Sequence, residues 1–68
     1  MITLTVNGQP RQVPEPMTVA RFLQQSGITH PFIAVARNGD VLHRDEYDRV
    51  VVQNGDTLEI VRMVGGGG

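Results

Sequence analysis

Sixty-eight residues and 7.5 kDa hold one small domain with 40% hydrophobic and 19% charged residues, and a chain this short buries only about 60% of its unfolded surface. There is room for one core and none for a deep cleft between domains, which disfavours a self-contained enzyme. Six basic side chains, all Arg, against seven acidic ones give a net charge of -1, without the basic surplus that a nucleic-acid footprint requires.

The chain opens with Ile2, Leu4 and Val6 alternating with Thr3 and Thr5, the period of a half-buried strand. Asn7-Gly8 suits the two positive-φ positions of a tight hairpin turn, and a return strand is predicted over Gln9 to Val13, with Pro10 tolerable at its start or on an edge. Pro14-Glu15-Pro16 ends that strand. Thr18 is placed to cap a helix starting at Val19; Arg21 at the third helical position leaves no capping box. Val19, Phe22 and Leu23 make one apolar face, and Gly27 with Ile28 reads as a left-handed stop with an apolar residue packing back. Two turns are too few to persist alone, so the helix must lie on the sheet.

Thr29-His30-Pro31 is a predicted loop, and Phe32 to Ala36 a strand covered by the helix on one side. Asn38-Gly39-Asp40 is a second turn, followed by Val41 and Leu42. His43 to Asp48 is polar and acidic, an irregular stretch or a single helical turn. Val50 to Val52 is a brief strand or the approach to a third turn at Asn54-Gly55-Asp56. Thr57 to Arg62 alternates in part, with Leu58 and Ile60 on one face and Thr57, Glu59 and Val61 on the other. The order β-β-α-β-(β)-β, with one helix on one face of a mixed sheet, predicts an α+β ubiquitin-like roll over residues 1–64. The three Asn-Gly pairs read as independent turns, since the segments between them share no pattern.

Gly65 to Gly68 follow. Without Cβ atoms they offer no packing and maximal backbone freedom, so residues 65–68 are expected to form a flexible tail. Such a segment is either inert or thin enough to thread a channel and present a carboxylate to a partner's active site. Composition does not choose between them. With no Cys there is no thiolate nucleophile, disulfide or Cys-based zinc site. No apolar stretch approaches the length of a membrane span and no signal-peptide pattern is present, so a cytoplasmic location is expected.

Over its whole length the chain resembles the bacterial ThiS family, the sulfur carriers of thiamine thiazole biosynthesis. The resemblance rests on the Met1-to-Gln9 opening, on Thr18-Val19-x-x-Phe22-Leu23 and on Ile33 to Gly39. Leu42 and Arg44, Asn54 to Ile60 and the glycine tail carry the rest. It implies a β-grasp fold and a protein substrate rather than an enzyme. A ThiF-like adenylating enzyme would use ATP and Mg²⁺, both bound by that partner, to activate a glycine carboxylate. A sulfur donor would then form a thiocarboxylate, and the thiazole synthase ThiG would take the sulfur. The family normally ends in two glycines and this chain has four. A free carboxylate is required, so Gly68 is the expected reactive residue, with Gly65, Gly66 and Gly67 behind it; Gly66 takes the role if the last two are absent from the active form.

Other functional candidates are weaker. Met63 and Val64, next to the tail, either anchor the final strand or dock on a partner, and the exposed sheet face is expected to share in docking. His30 and His43 each stand alone, without a second ligand at a recognisable spacing. Asp45, Glu46 and Asp48 lack calcium-loop spacing and read as a solvated connector; Asp40 and Asp56 follow Asn-Gly turns and serve them. Rival readings are a carrier for molybdopterin, tRNA thiolation or cysteine synthesis, a protein-conjugating modifier, and a β-grasp interaction module with an inert tail.

Overall fold

A computed structural model describes residues 1–63. β1 (Ile2–Val6) and β2 (Gln9–Val13) pair antiparallel, Ile2 opposite Val13 and Val6 opposite Gln9. Asn7 (φ 51°) and Gly8 (φ 82°) supply the left-handed pair that closes the hairpin. A two-residue strand, β3 (Met17–Thr18), leads directly into α1 (Val19–Gln25). The Thr18 hydroxyl accepts from the Arg21 N–H at 3.2 Å, and the far end closes on Gly27 (φ 75°), where the Ile28 N–H reaches the Leu23 carbonyl and the Gly27 N–H that of Gln24. Both helix ends are therefore satisfied as the sequence predicts.

β4 (Ile33–Arg37) turns at Asn38 and Gly39 into the two-residue β5 (Asp40–Val41). A 3₁₀ turn at Arg44–Glu46 fills the polar stretch, with the His43 N–H donating to Glu46 Oε1 at 2.7 Å. β6 (Val51–Val52), the brief strand expected there, pairs with β3 in a small second sheet that no sequence pattern announces, and β7 (Thr57–Arg62) closes the described fold. In the third Asn-Gly turn only Gly55 is left-handed (φ 90°), so it is unlike the two hairpin turns.

The main sheet runs β2-β1-β7-β4-β5. β7 lies between β1, which it pairs in parallel, and β4, which it pairs antiparallel. Inward alternation from β1, β4 and β7 meets the apolar side of α1, burying Leu4, Val19, Phe22, Val35, Val52 and Leu58 almost completely. This is the expected mixed sheet with one helix on one face, a β-grasp architecture. Val64, Gly65 to Gly68 and the division between domain and tail lie outside the described residues.

Candidate functional site

The site is built around the end of β7, because the glycine segment follows it in the chain. β7 is held at both ends. At its start the Asn38 N–H donates to the Thr57 carbonyl at 2.8 Å, and Asn38 Oδ1 accepts from the Thr57 N–H at 2.9 Å. Further along, Asn7 Oδ1 accepts from the Ile60 N–H and its Nδ2 donates to the Ile60 carbonyl. The third turn's Asn54 likewise takes the Thr3 N–H at 2.8 Å. The three asparagines thus act beyond their own turns, each binding the backbone of a neighbouring strand.

Asp56 binds the two loops at the start of β7 to each other. Its carboxylate accepts from Arg37 Nε at 2.8 Å, Asn38 Nδ2 at 3.1 Å and the Gln53 N–H at 2.8 Å. It is the buried charged residue of the described fold, only 7% exposed. Burial by itself raises its pKa, but the Gln53, Arg37 and Asn38 hydrogen bonds and the Arg37 charge outweigh it, so the carboxyl titrates below its ordinary value. Asp56 does serve its turn, as expected, but its bond to Arg37 spans 19 residues and no local pattern announces it.

At the other end of β7 the ladder continues one step past the strand: the Met63 N–H donates to the Phe32 carbonyl at 2.8 Å. The register then defines the outer face of the sheet, away from the helix. Val61 lies opposite Ala34, Met63 follows two residues on, and Val41 lies opposite Ala36. Phe32, Val41, Val61 and Met63 are 62%, 72%, 55% and 53% exposed. Single exposed apolar residues are ordinary, but several gathered on one sheet face suit a binding surface. Phe32, read from the sequence as part of a half-covered strand, instead precedes β4 and is exposed. Its N–H donates to His30 Nδ1, and Arg44 donates to the neighbouring Pro31 carbonyl. The Met63 backbone anchors the end of the strand, one of the two roles weighed for it, and its side chain is exposed.

His30 and His43 sit apart, one in the loop before β4 and the other at the start of the 3₁₀ turn. Asp45, Glu46 and Asp48 remain in their polar connector, and among the described residues no three His, Asp or Glu side chains converge on a metal site. No helix among them is long and apolar enough to cross a membrane. The mixed sheet backed by one helix, with β7 at its centre, defines a ubiquitin-like β-grasp protein.

The comparisons with known proteins narrow that class. The sequence pattern of the ThiS family matches residues 4–67. The crystal structure of the thiamine biosynthesis protein ThiS from Geobacter metallireducens superposes with a TM-score of 0.88 at 35% identity, covering 97% of this chain and 100% of that one. The solution structure of a thiamine biosynthesis protein from the same organism gives 0.80 at 34% identity, covering 98% and 90%. Two proteins named thiazole synthase also match, from Paramagnetospirillum magneticum (39% identity over 64 residues, 94% of this chain) and Magnetococcus marinus (36% over 62 residues, 91%). The chain spans only 20% and 19% of their lengths. The chain belongs to the ThiS family.

Proposed function

We propose that a ThiF-like adenylating enzyme activates the glycine carboxylate of this carrier and that the resulting thiocarboxylate supplies sulfur to the thiazole synthase ThiG. The carboxylate oxygen attacks the α-phosphate of ATP, held with Mg²⁺ by the enzyme, and pyrophosphate leaves. Sulfide then attacks the acyl carbon and expels AMP, leaving a thiocarboxylate; a donor protein's persulfide attacks in the same way to give an acyl disulfide, from which a thiol releases the thiocarboxylate by breaking the S–S bond. Gly68 carries the sulfur where its carboxylate is free, and Gly66 does so in a form lacking the last two residues. Five residues beyond Met63 span at most about 17 Å when extended, enough to enter an active site while the domain stays outside it. Glycine suits the chemistry because nothing branches near the reacting carbon. Chemistry that consumes ATP suits a cytoplasmic location.

The observation that carries the reading is the match to a whole ThiS protein of thiamine biosynthesis, from end to end of that chain. The choice of thiazole synthase as acceptor is supported by the two synthases in which a segment like this chain makes up about a fifth of the polypeptide. Phe32, Val41, Val61, Met63 and Val64 are the proposed docking residues for the adenylating enzyme, because the outer face lies beside the point where the tail begins.

ATP–pyrophosphate exchange tests the first step. A ThiF-like enzyme is expected to exchange label only when this chain is present, and to stop when residues 65–68 are deleted. Exchange that persists with the deleted chain would refute the role of the tail.

A further inference from the structure

Past the end of α1, on the helix side of the sheet, lies a groove of about 670 Å³ that is open to solvent. It exists because the helix is short: seven residues cover about 10 Å and leave the ends of β1, β4 and β7 uncovered. Val6, Ile33 and Ile60 line it with apolar surface, and Arg11, Arg62 and His30 add basic groups. The register accounts for this set. Arg11 lies opposite inward-facing Leu4, and Arg62 follows Ile60 by two residues, so both point to the helix side.

The charge of the groove runs against that of the chain. Net charge is -1, yet none of the acidic residues lines this surface. Among the described residues the one ion pair is Arg37–Asp56, so neither Arg11 nor Arg62 has a carboxylate partner there. Arg11 donates to Ser26 Oγ at 3.4 Å, which draws its guanidinium toward the end of the helix. Arg62 immediately precedes Met63, so a protein that receives the tail also lies within reach of the groove.

We propose that this groove binds an acidic peptide segment of a protein partner that handles the tail. An apolar side chain of the segment lies over Val6, Ile33 and Ile60, and its carboxylates pair with Arg11 and Arg62. Guanidinium groups match carboxylates in a planar, two-bond geometry. An open groove favours a peptide over a small molecule, since small-ligand sites bury about 70–90% of what they hold. The proposal rests on the carrier reading for the identity of the partner but not for the existence of the site.

The test is amide NMR of the isotope-labelled full chain titrated with the peptide acetyl-Asp-Glu-Leu-Asp-Glu-amide, without ATP or sulfide, so that its outcome is separate from that of the adenylation chemistry. Saturable shifts are expected at Asn7, Arg11, Thr29 and Arg62. Arg11→Gln and Arg62→Gln, both at exposed positions, should each weaken binding by about fivefold, and about 0.5 M salt should abolish it. A peptide with Lys at every acidic position should leave the spectrum unchanged. Absence of saturable shifts, or shifts confined to the Val61 and Met63 face, would overturn the proposal. Equal shifts from inorganic phosphate at the same concentration would reduce the groove to a simple anion site. Shifts that depend on the concentration of the chain alone would assign it to self-association.

Discussion

Replacing Asp56 by Asn tests whether the carboxylate at the start of β7 holds the fold through its charge. The side chain is buried and accepts three hydrogen bonds, one of them from a guanidinium. Asn keeps the shape and one acceptor oxygen but loses the ion pair and must turn its NH₂ toward a donor. Hydrogen bonds to a charged group contribute about 1.5–3 kcal/mol each, and the partly exposed Arg37 recovers some solvation when released. The net loss at neutral pH is therefore about 2 kcal/mol. With a urea slope of about 1 kcal/mol per molar for a domain this small, the midpoint falls by about 2 M. The pH dependence has a definite sign. The folded carboxyl titrates below its ordinary value of 3.8, so on acidification the unfolded chain takes up this proton first. The charge-dependent stability is complete above the unfolded value and is lost as pH falls through the folded one. Urea melts followed by circular dichroism should show the gap between wild type and D56N narrowing below the ordinary carboxyl value. A loss under about 0.5 kcal/mol at neutral pH, or a gap unchanged by acidification, would refute the reasoning.

The other predictions concern the turns and the docking face. Asn38→Gly keeps the left-handed backbone (φ 52°) but removes the side chain that binds Thr57 and Asp56, and should cost about 1 kcal/mol in a thermal melt. Asn38→Ala adds the backbone strain of a left-handed non-glycine residue and should cost about 1 kcal/mol more; equal losses would mean that the hydrogen bonds alone matter. Val61→Glu, at an exposed outer position, should leave the unfolding free energy within about 0.5 kcal/mol of wild type. The same variant should lower kcat/KM for adenylation about tenfold by placing an unpaired charge in the docking face. Unchanged kinetics would remove that face from the proposed interface.

Short-range signals made most of the fold legible. β1 alternates over its five residues and β7 over the first part of its six, the Asn7-Gly8 turn announces β2, and Thr18 and Gly27 mark the helix ends in the sequence itself. The β3–β6 pair was not legible because two-residue strands have no period to read, and their partners stand 35 residues apart, Met17 opposite Val52. Nor does any local pattern put β7 in the middle of the sheet, parallel to β1. That placement buries Leu58 in the same core as Leu4 and Val35. The exposed apolar face was legible only in outline, since the alternation of β7 puts Val61 outward but cannot bring Val41 round to it. The groove stayed hidden because its basic residues come from strands far apart in sequence. The glycine segment was legible as composition, and its role rests on family and chemistry.

The central claim, that the carboxylate of the glycine segment carries sulfur, is tested most directly by intact mass. The chain is incubated with ATP, Mg²⁺, a ThiF-like enzyme active on another ThiS protein, and sulfide. The expected result is the mass gain of one oxygen replaced by sulfur, located by fragmentation at Gly68, or at Gly66 in the chain lacking its last two residues. The gain should disappear when thiazole synthase and its substrates are added. An unchanged mass in both forms of the chain, with the enzyme demonstrably active, would contradict the claim.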